Sequence, residues 1–353
     1  MNGRGNTIKN TRYSAIYGDR IAIGCSLCMS GDKSVVFVTG LCREKCYYCP
    51  VSSERIRNDV FFVNERKVSN IDEAISEIAR SGSNSASITG GDPLERLERT
   101  ISVIEALKSS FGSSFHVHLY TNGILSRKDV LKALEKVGLD EIRFHPTREQ
   151  TLKKIEEAKK FTTIKVGAEV PAIPGKADEL VRLAEFLDKI GADFLNINEL
   201  EASESNFNSL MMRGFVISQD GKSIEGSAST AIAAMKLALK KGLKIPIHFC
   251  PASFKDSIQT KNRFLKTIYS DRKVYEKPTR EGTVLYGVLL EYNPEEAEKC
   301  IKDGLLYKCG NSLCFHPDDI KYLKRYNLGC KGEIVEAHPT KDRFVINREE
   351  VQL

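Results

Sequence analysis

The chain has 353 residues, of which 41% are hydrophobic and 28% charged, and its formal net charge is +6 at pH 7. This composition is typical of a globular protein with a buried core and excludes a disordered or collagen-like chain. No apolar run approaches the roughly 20 residues that a membrane span needs. The first twenty residues contain no apolar block, so we expect no signal peptide, a cytoplasmic protein and no membrane partner. The mildly basic balance permits a nucleic-acid partner but does not require one.

Strand-like and helix-like segments alternate from residue 34 to about residue 250. The predicted strands are 34–41, 85–90, 115–121, 141–145, 163–170, 194–198 and 245–249. The predicted helices are 72–80, 94–109, 128–137, 149–160, 177–190 and 230–241. Strands separated by helices of this length form βαβ units with a parallel sheet. The fold class is therefore α/β, either a partial (β/α)6–7 barrel or a doubly wound sheet.

Both ends of the chain depart from this alternation. Residues 1–33 are interpreted as an N-terminal extension in which residues 20–24 form a strand. Near the other end, a strand at 283–290, a helix at 294–303 and a strand pair within 332–346 predict a small C-terminal α+β appendage. The expected domains are the extension 1–33, the barrel 34–268 and the appendage 269–353.

Ten cysteines are the unusual feature of the composition, and five of them lie between residues 25 and 49. In the reducing compartment expected here, metal ligation or catalysis is favoured over disulfides. Cys42, Cys46 and Cys49 follow the first predicted strand with the spacing C-x3-C-x2-C. Thiolates at this spacing can bind three irons of a cubane iron–sulfur cluster, which leaves the fourth iron open to a small molecule. Zinc or plain buried thiols are the alternative, but zinc needs a fourth ligand nearby.

This cysteine loop resembles the signature of the radical S-adenosylmethionine (SAM) superfamily, including the aromatic Tyr48 before the third cysteine. In that family the three cysteines bind a 4Fe–4S cluster whose open iron chelates SAM. The reduced cluster cleaves SAM to methionine and a 5′-deoxyadenosyl radical, which abstracts a hydrogen atom. The resemblance implies catalytic ligation by Cys42, Cys46 and Cys49, bound SAM, and an electron donor such as ferredoxin or flavodoxin. It also implies a partial barrel of the radical SAM type.

Gly90, Gly91, Asp92 and Pro93 follow the second predicted strand and resemble the superfamily's Gly-Gly-Glu motif, with Asp92 replacing the usual Glu. Glycines let a ligand approach the backbone closely, and carbonyls beside an acid suit an ammonium group. Taken alone, this run is typical of a turn that starts a helix. The resemblance implies that these residues bind SAM.

Polar residues at the ends of the later strands complete the expected cofactor site. By their position in the superfamily's pattern, the candidates for the ribose and adenine contacts are Asn122, Glu169 and Asn198. His145 and Glu201 are candidates on the substrate side. His116 and His118 alternate along one face of the third strand, and we interpret them as core or helix-facing side chains.

The remaining cysteines leave several interpretations open. Cys25 and Cys28 are spaced like a metal-binding knuckle on a tight turn, and His248 and Cys250 offer partners near the end of the last barrel strand. All four groups could form a zinc site, or Cys25, Cys28 and Cys250 alone could hold a second iron–sulfur cluster. Buried reduced thiols are the third interpretation. In the appendage, a further possible set of metal ligands comprises Cys309, Cys314 and His316. Their spacing is looser, so structural thiols are the favoured interpretation there.

The wider stretch 20–265 resembles an archaeal radical SAM family described as related to pyruvate formate-lyase-activating enzymes. The resemblance rests on segments 24–28, 37–42, 88–94, 118–122, 141–146, 196–201 and 254–256. It implies an enzyme of unidentified substrate, with a small metabolite or cofactor precursor favoured. RNA modification and the activation of a glycyl-radical partner protein are the alternatives within the class. A non-catalytic iron–sulfur electron carrier or redox sensor is the alternative from another class.

Overall fold

A computed structural model describes residues 7–10, 14–326, 328–329 and 331–353. The described chain divides into two units. The first comprises the residues up to Ile78 together with Asn84–Thr260, and the second comprises Ala79–Ser83 with Lys261–Leu353. The second unit therefore begins earlier than the expected appendage, and the described part of the N-terminal extension belongs to the first unit. Among the described residues, no helix has both the length and the apolarity that crossing a membrane requires.

The first unit is built from strands and helices in alternation. Its strands are β1 (Ile8–Asn10), β2 (Ala15–Tyr17), β3 (Ser34–Thr39), β4 (Phe62–Val63), β5 (Arg66–Lys67), β6 (Ser85–Gly90), β7 (His116–Thr121), β8 (Glu141–Phe144), β9 (Lys165–Ala172), β10 (Phe194–Glu199) and β11 (Ile247–Cys250). The helices up to residue 260 are α1 (Ile23–Met29), α2 (Ile71–Ser81), α3 (Leu97–Phe111), α4 (Lys128–Lys136), α5 (Glu149–Phe161), α6 (Ala177–Lys189), α7 (Phe207–Met211), α8 (Ser227–Lys240) and α9 (Ala252–Phe254). A 3₁₀ helix, Pro93–Arg96, precedes α3, and a π-helix, Lys255–Thr260, follows α9.

The strands of the first unit form one sheet in the order β1-β2-β11-β10-β9-β8-β7-β6-β3-β4-β5. From β3 through β6 to β11, neighbouring strands follow chain order and pair in parallel. The outer strands β1, β2, β4 and β5 pair antiparallel. Parallel neighbours joined through helices are what successive βαβ units produce. The predicted α/β class with a parallel sheet is confirmed, and it agrees with a partial barrel.

Alternate side chains of the parallel strands point to opposite faces of the sheet. One face packs against the helices with fully buried aliphatic side chains, among them Ile88, Leu119, Ile142, Val166 and Ile197. The opposite face, here called the inner face, carries polar side chains, among them Ser87, His118, Arg143, Glu169 and Asn196. His116 and His118 therefore lie on the face opposite that apolar core, although His118 is buried as a core residue would be. A buried polar face requires internal partners or a ligand.

Residues 20–24 do not form the predicted strand. The chain leaves the sheet after β2, which already pairs with β11, and helix α1 begins at Ile23. A short apolar run cannot distinguish a strand from a buried helix by periodicity, and β2 leaves it no place beside β11. Cys25 and Cys28 consequently lie on a helix, one turn apart, and not in the tight turn expected of a knuckle.

The second unit combines an antiparallel sheet with three described α-helices and a 3₁₀ helix, Pro317–Asp319. Its strands are β12 (Lys277–Pro278), β13 (Val284–Glu291), β14 (Tyr307–Cys309), β15 (Ser312–Phe315), β16 (Lys331–Ala337) and β17 (Val345–Gln352). Its helices are α10 (Lys261–Asp271), α11 (Pro294–Lys302) and α12 (Ile320–Leu323). The strand order is β14-β15-β13-β16-β17, with β12 beside β13. Its hydrophobic core contains Leu289, Cys300 and Phe315. Because the unit combines helices with an antiparallel sheet, it is α+β, as predicted.

A disulfide joins Cys309 and Cys314 across the β14–β15 hairpin. Their Cα atoms lie 5.8 Å apart, within the range that a disulfide spans. These cysteines are therefore neither free thiols nor, with His316, a ligand set, and the preference against disulfides is wrong at this position. The pairing depends on the hairpin, in which Cys309 lies opposite Ser312 and Cys314 opposite Tyr307, so that the two cysteines are diagonal neighbours on adjacent strands. Cys330 lies outside the described residues.

Candidate functional site

A cavity of about 570 Å³ is lined by the cysteine loop and by the carboxyl ends of β6 to β10. Crossover units place the ends of parallel strands at one edge, where α/β folds bind ligands. Nine residues predicted from the sequence line this cavity, and they are Cys42, Cys46, Tyr48, Cys49, Gly90, Gly91, Asn122, Glu169 and Asn198. The substrate-side candidates His145 and Glu201 also line it.

The three cysteines of the loop are free thiols and are partly exposed. Burial raises the pKa of the Cys46 thiol to about 11, with a contribution from the neighbouring Cys49. Burial also raises the pKa of Cys42, although Asn122 opposes this because its Nδ2 lies 3.6 Å from the Cys42 sulfur. Without a metal, Cys42 and Cys46 are neutral at pH 7. Since metals bind the thiolate, metal binding here must release protons.

The Gly-Gly-Asp turn is joined to the base of the cysteine loop by its backbone. Gly91 N donates to Thr39 O at 2.8 Å. A Cβ atom added to Gly91 would lie 2.4 Å from Leu41 O, and one added to Gly40 would lie 1.6 Å from Arg55 O. Side chains at these positions would separate segments that are now in contact. Gly40 and Gly91 thus allow backbone segments to pack closely against each other, in addition to the close approach of a ligand expected from the sequence.

The Asp92 carboxylate is buried and does not line the cavity. Its Oδ1 accepts a bond from Leu94 N at 3.0 Å and caps the 3₁₀ helix, which begins at the buried Pro93. Its Oδ2 accepts bonds from Thr121 Oγ1 and Asn122 N, both at 3.0 Å. Burial nevertheless raises the pKa of Asp92 to about 6. Asp92 thus positions the end of β7, and neither Asp92 nor Pro93 faces the cavity as the sequence motif implied.

Glu169 is the centre of a polar network on the inner face. Arg143 Nη1 donates to its Oε2 at 2.6 Å, and Asn198 Nδ2 donates to its Oε1 at 2.9 Å. Asn196 Nδ2 donates to Oε2 at 3.0 Å, and Arg143 Nε also donates to Glu141 at 2.6 Å. Burial opposes ionisation of Glu169, but Arg143 and the two amides outweigh it and lower the pKa to about 2. The cavity wall therefore contains an ionised carboxylate whose charge is paired with Arg143.

Tyr48 is held at the cavity wall by His145. The Tyr48 hydroxyl lies 3.0 Å from His145 Nε2, and His145 Nδ1 lies 3.0 Å from the Glu169 carbonyl oxygen. Burial lowers the pKa of His145, so its ring is neutral at pH 7. A carbonyl can only accept, so Nδ1 carries the proton and Nε2 accepts from the tyrosine. This chain of bonds fixes the orientation of the aromatic side chain beside the third cysteine.

The sequence profile of the radical SAM superfamily matches residues 36–147, which contain the cysteine loop, the Gly-Gly-Asp turn and the end of β7. A Methanocaldococcus jannaschii protein, named as the glycyl-radical enzyme activating enzyme MJ0021, is 37% identical over 352 residues. The alignment covers 94% of this chain and 92% of that protein. The chain belongs to the radical SAM superfamily. It is therefore an enzyme, and the resemblance of its cysteine loop is confirmed.

Two solved structures show weaker similarity to this one. SuiB of Streptococcus suis, bound to S-adenosylmethionine, has a TM-score of 0.43 and 11% identity over 62% of this chain. The chain spans about half of SuiB, since the match covers 49% of it. HemN, the coproporphyrinogen III oxidase of Escherichia coli, has a TM-score of 0.40 and 9% identity over 94% of this chain and 76% of HemN.

Membership of the radical SAM superfamily implies a 4Fe–4S cluster and SAM, and the cavity fits both in its donor set and its size. Three free thiols line one wall, and no fourth cysteine is among the described lining residues. That set leaves one iron of a cubane open. The volume of about 570 Å³ lies within the range of small-molecule sites.

The cavity wall of this radical SAM enzyme also contains four residues to which the sequence assigned no role: Tyr120, Thr121, Glu199 and Lys255. Lys255 begins the π-helix, and its Nζ lies 2.8 Å from Glu201 Oε1. Burial opposes the charge of Lys255, but Glu201 outweighs this and raises its pKa. Segment 254–256 is one of those on which the family resemblance rests, so the sequence could have pointed to Lys255. The sequence alone assigns this segment no role.

We expect the variant Asp92→Ala to lower the free energy of unfolding by about 2 kcal/mol, because it removes a helix cap and two bonds at the end of β7. It should also weaken SAM binding, because Asn122 loses its backbone anchor. Urea unfolding and calorimetric SAM titration measure the two effects. The control is Asp129→Ala, whose exposed carboxylate pairs with Arg127. Equal effects of both substitutions would show that Asp92 has no positioning role.

Proposed function

We propose that Cys42, Cys46 and Cys49 bind the 4Fe–4S cluster, that SAM occupies the adjoining cavity, and that SAM cleavage starts a radical reaction on a separate substrate. The observation that carries this proposal is that the three free thiols share one cavity with the ends of five parallel strands. When bound, the cluster delivers an external electron that breaks a carbon–sulfur bond of SAM. The protein supplies binding, orientation and exclusion of water.

In this proposal each residue of the cavity wall has a definite task. Asn122 donates to the Cys42 sulfur and so orients and tunes a cluster ligand. Asn198 donates to Glu169, which leaves its amide oxygen as an acceptor for the nucleoside of SAM. Tyr48 is held beside the cofactor by His145, and Gly90 and Gly91 present backbone groups to the amino-acid end of SAM. Asp92 acts through Asn122.

We propose a small polar metabolite or cofactor precursor as the substrate. One wall of the cavity carries both charges, from Glu199, Glu201 and Lys255, and this suits a small polar molecule beside SAM. A second candidate is the activation of a glycyl-radical enzyme, which is supported by the name of the Methanocaldococcus jannaschii relative. This second function needs a protein substrate. Incubation of the enzyme with candidate glycyl-radical proteins and detection of their radical by electron paramagnetic resonance separates the two.

The reaction requires a reductant and a reducing environment. A low-potential one-electron carrier such as ferredoxin or flavodoxin is the proposed donor. A cluster held by thiolates persists where thiols stay reduced, so we propose a cytoplasmic location.

The test is SAM cleavage by the full chain. Protein reconstituted without oxygen and reduced with dithionite should convert SAM to 5′-deoxyadenosine, measured by liquid chromatography with mass spectrometry. The unreduced protein is the control and should form none. If reduced protein with its full iron content, about four irons for each cluster, formed no 5′-deoxyadenosine, the proposal would be wrong.

A further inference from the structure

Three free cysteines lie outside the cavity in the first unit. Cys25 and Cys28 are one turn apart on α1, so they share a face of that helix. Cys250 ends β11 in register with Asn198 of β10, whose amide reaches Glu169 on the inner face. Parallel partners in register present their side chains to the same face. The Cys250 thiol therefore belongs to the inner face of the sheet.

Helix α1 packs on this same inner face. A Cβ atom added to Gly24 would lie 2.6 Å from His118 Nδ1 and 2.6 Å from Arg143 Nη2. The helix also contacts the π-helix that follows β11, in which Gln259 Nε2 lies 3.7 Å from the Cys250 sulfur. Two elements distant in sequence thus bring thiols to one polar interior. Cys25 and Cys250 are both buried there.

Two imidazoles on the inner face have no hydrogen-bond partner at either nitrogen among the described residues: His118, beside Gly24, and His248, two residues before Cys250. They are 0% and 3% exposed. Leaving buried polar atoms unpaired costs free energy, and such atoms in a native structure point to a missing ligand or ion. Thiols and imidazoles are ligands that iron and zinc both accept.

We infer that Cys25, Cys28 and Cys250 bind a second iron–sulfur cluster on the inner face, beside His248. In the described part of the chain, no three His, Cys, Asp or Glu side chains converge closely enough to hold one metal ion. Tetrahedral zinc requires sulfurs about 3.8 Å apart, as its bond length of about 2.3 Å dictates. In a cubane each thiolate binds its own iron, so the sulfurs stay farther apart. A cluster, which distributes its thiolates over separate irons, is therefore the group that we assign to these three thiols.

The decisive protein is the triple variant Cys42→Ala, Cys46→Ala, Cys49→Ala, which lacks the ligands of the proposed catalytic cluster. Reconstituted with iron and sulfide without oxygen, it should retain about four irons and four sulfides per chain. Adding Cys250→Ala to this variant should remove them. Adding Cys300→Ala instead is the matched control, because Cys300 is a buried cysteine of the second unit, and should leave the iron unchanged.

A second measurement covers the case in which the triple variant does not fold. Replacing Cys25 and Cys28 by alanine in the otherwise intact chain should lower the iron content from about eight to about four per chain. Iron content equal to wild type in this variant, or zinc without iron in the folded triple variant, would overturn the inference. Iron in the triple variant does not depend on SAM, so failure of the second cluster and failure of SAM cleavage are observed separately.

Discussion

Replacing Cys46 with alanine is expected to reduce the formation of 5′-deoxyadenosine from SAM by at least about 100-fold, because the cluster loses one of its three protein ligands. Loss of a residue that only supports a ligand costs about 10–100-fold, and a direct ligand should cost more. No fourth cysteine lies among the described residues of the cavity wall to replace it. Product formed per chain and the iron content of the reconstituted variant are the measurements.

The control for Cys46→Ala is Cys300→Ala. Cys300 is fully buried in the core of the second unit and has no part in the cavity. Its removal should cost about 1 kcal/mol of stability and leave product formation per folded chain unchanged. Activity of Cys46→Ala at the level of this control would contradict the proposed ligand set.

Replacing Arg143 with methionine is expected to destabilise the first unit by about 3–5 kcal/mol, because two buried carboxylates then lose their shared cation. Arg143 Nε donates to Glu141 at 2.6 Å and Nη1 donates to Glu169 at 2.6 Å. Methionine fills much of the same space, so the cost arises mainly from charge. Urea unfolding at pH 7 measures the change.

The loss of folding stability at low pH provides the control for the Arg143 prediction. In the folded protein the pKa of Glu169 falls from 4.5 to about 2, where Arg143 and two amides outweigh the effect of burial. The folded pKa lies below the unfolded one, so this stabilisation is complete above about pH 4.5 and is lost as the pH falls toward 2. The difference corresponds to about 3 kcal/mol. Glu169→Gln should remove this part of the loss of stability between pH 4.5 and pH 2. If the pH dependence of the free energy of unfolding were unchanged by that substitution, the proposed role of the network would be wrong.

Local sequence patterns are sufficient for the order and type of the parallel strands β3 and β6 to β11 and of the long helices between them, but not for the short elements such as β1, β2, β4, β5 and α1. Predicted strand 85–90 coincides with β6 (Ser85–Gly90), and predicted strand 194–198 with β10 (Phe194–Glu199). Each strand buries apolar side chains of its own, and each helix repeats them at helical spacing, so the signal lies within the segment. The same reason applies to the cysteine loop, whose three ligands lie within eight residues of one another.

The partners of single polar residues depend on the folded sheet. Arg143 and Asp92 occupy ordinary places in the sequence, yet one joins two carboxylates across neighbouring strands and the other holds the end of β7. Likewise, whether residues 20–24 form a strand depends on β2 already occupying the place beside β11. Hydrogen bonds and ion pairs between distant segments require positions that chain order does not encode locally. The pattern within each segment determines which apolar side chains are buried. The hydrogen-bond and ion-pair partners of polar side chains depend instead on which segments become neighbours.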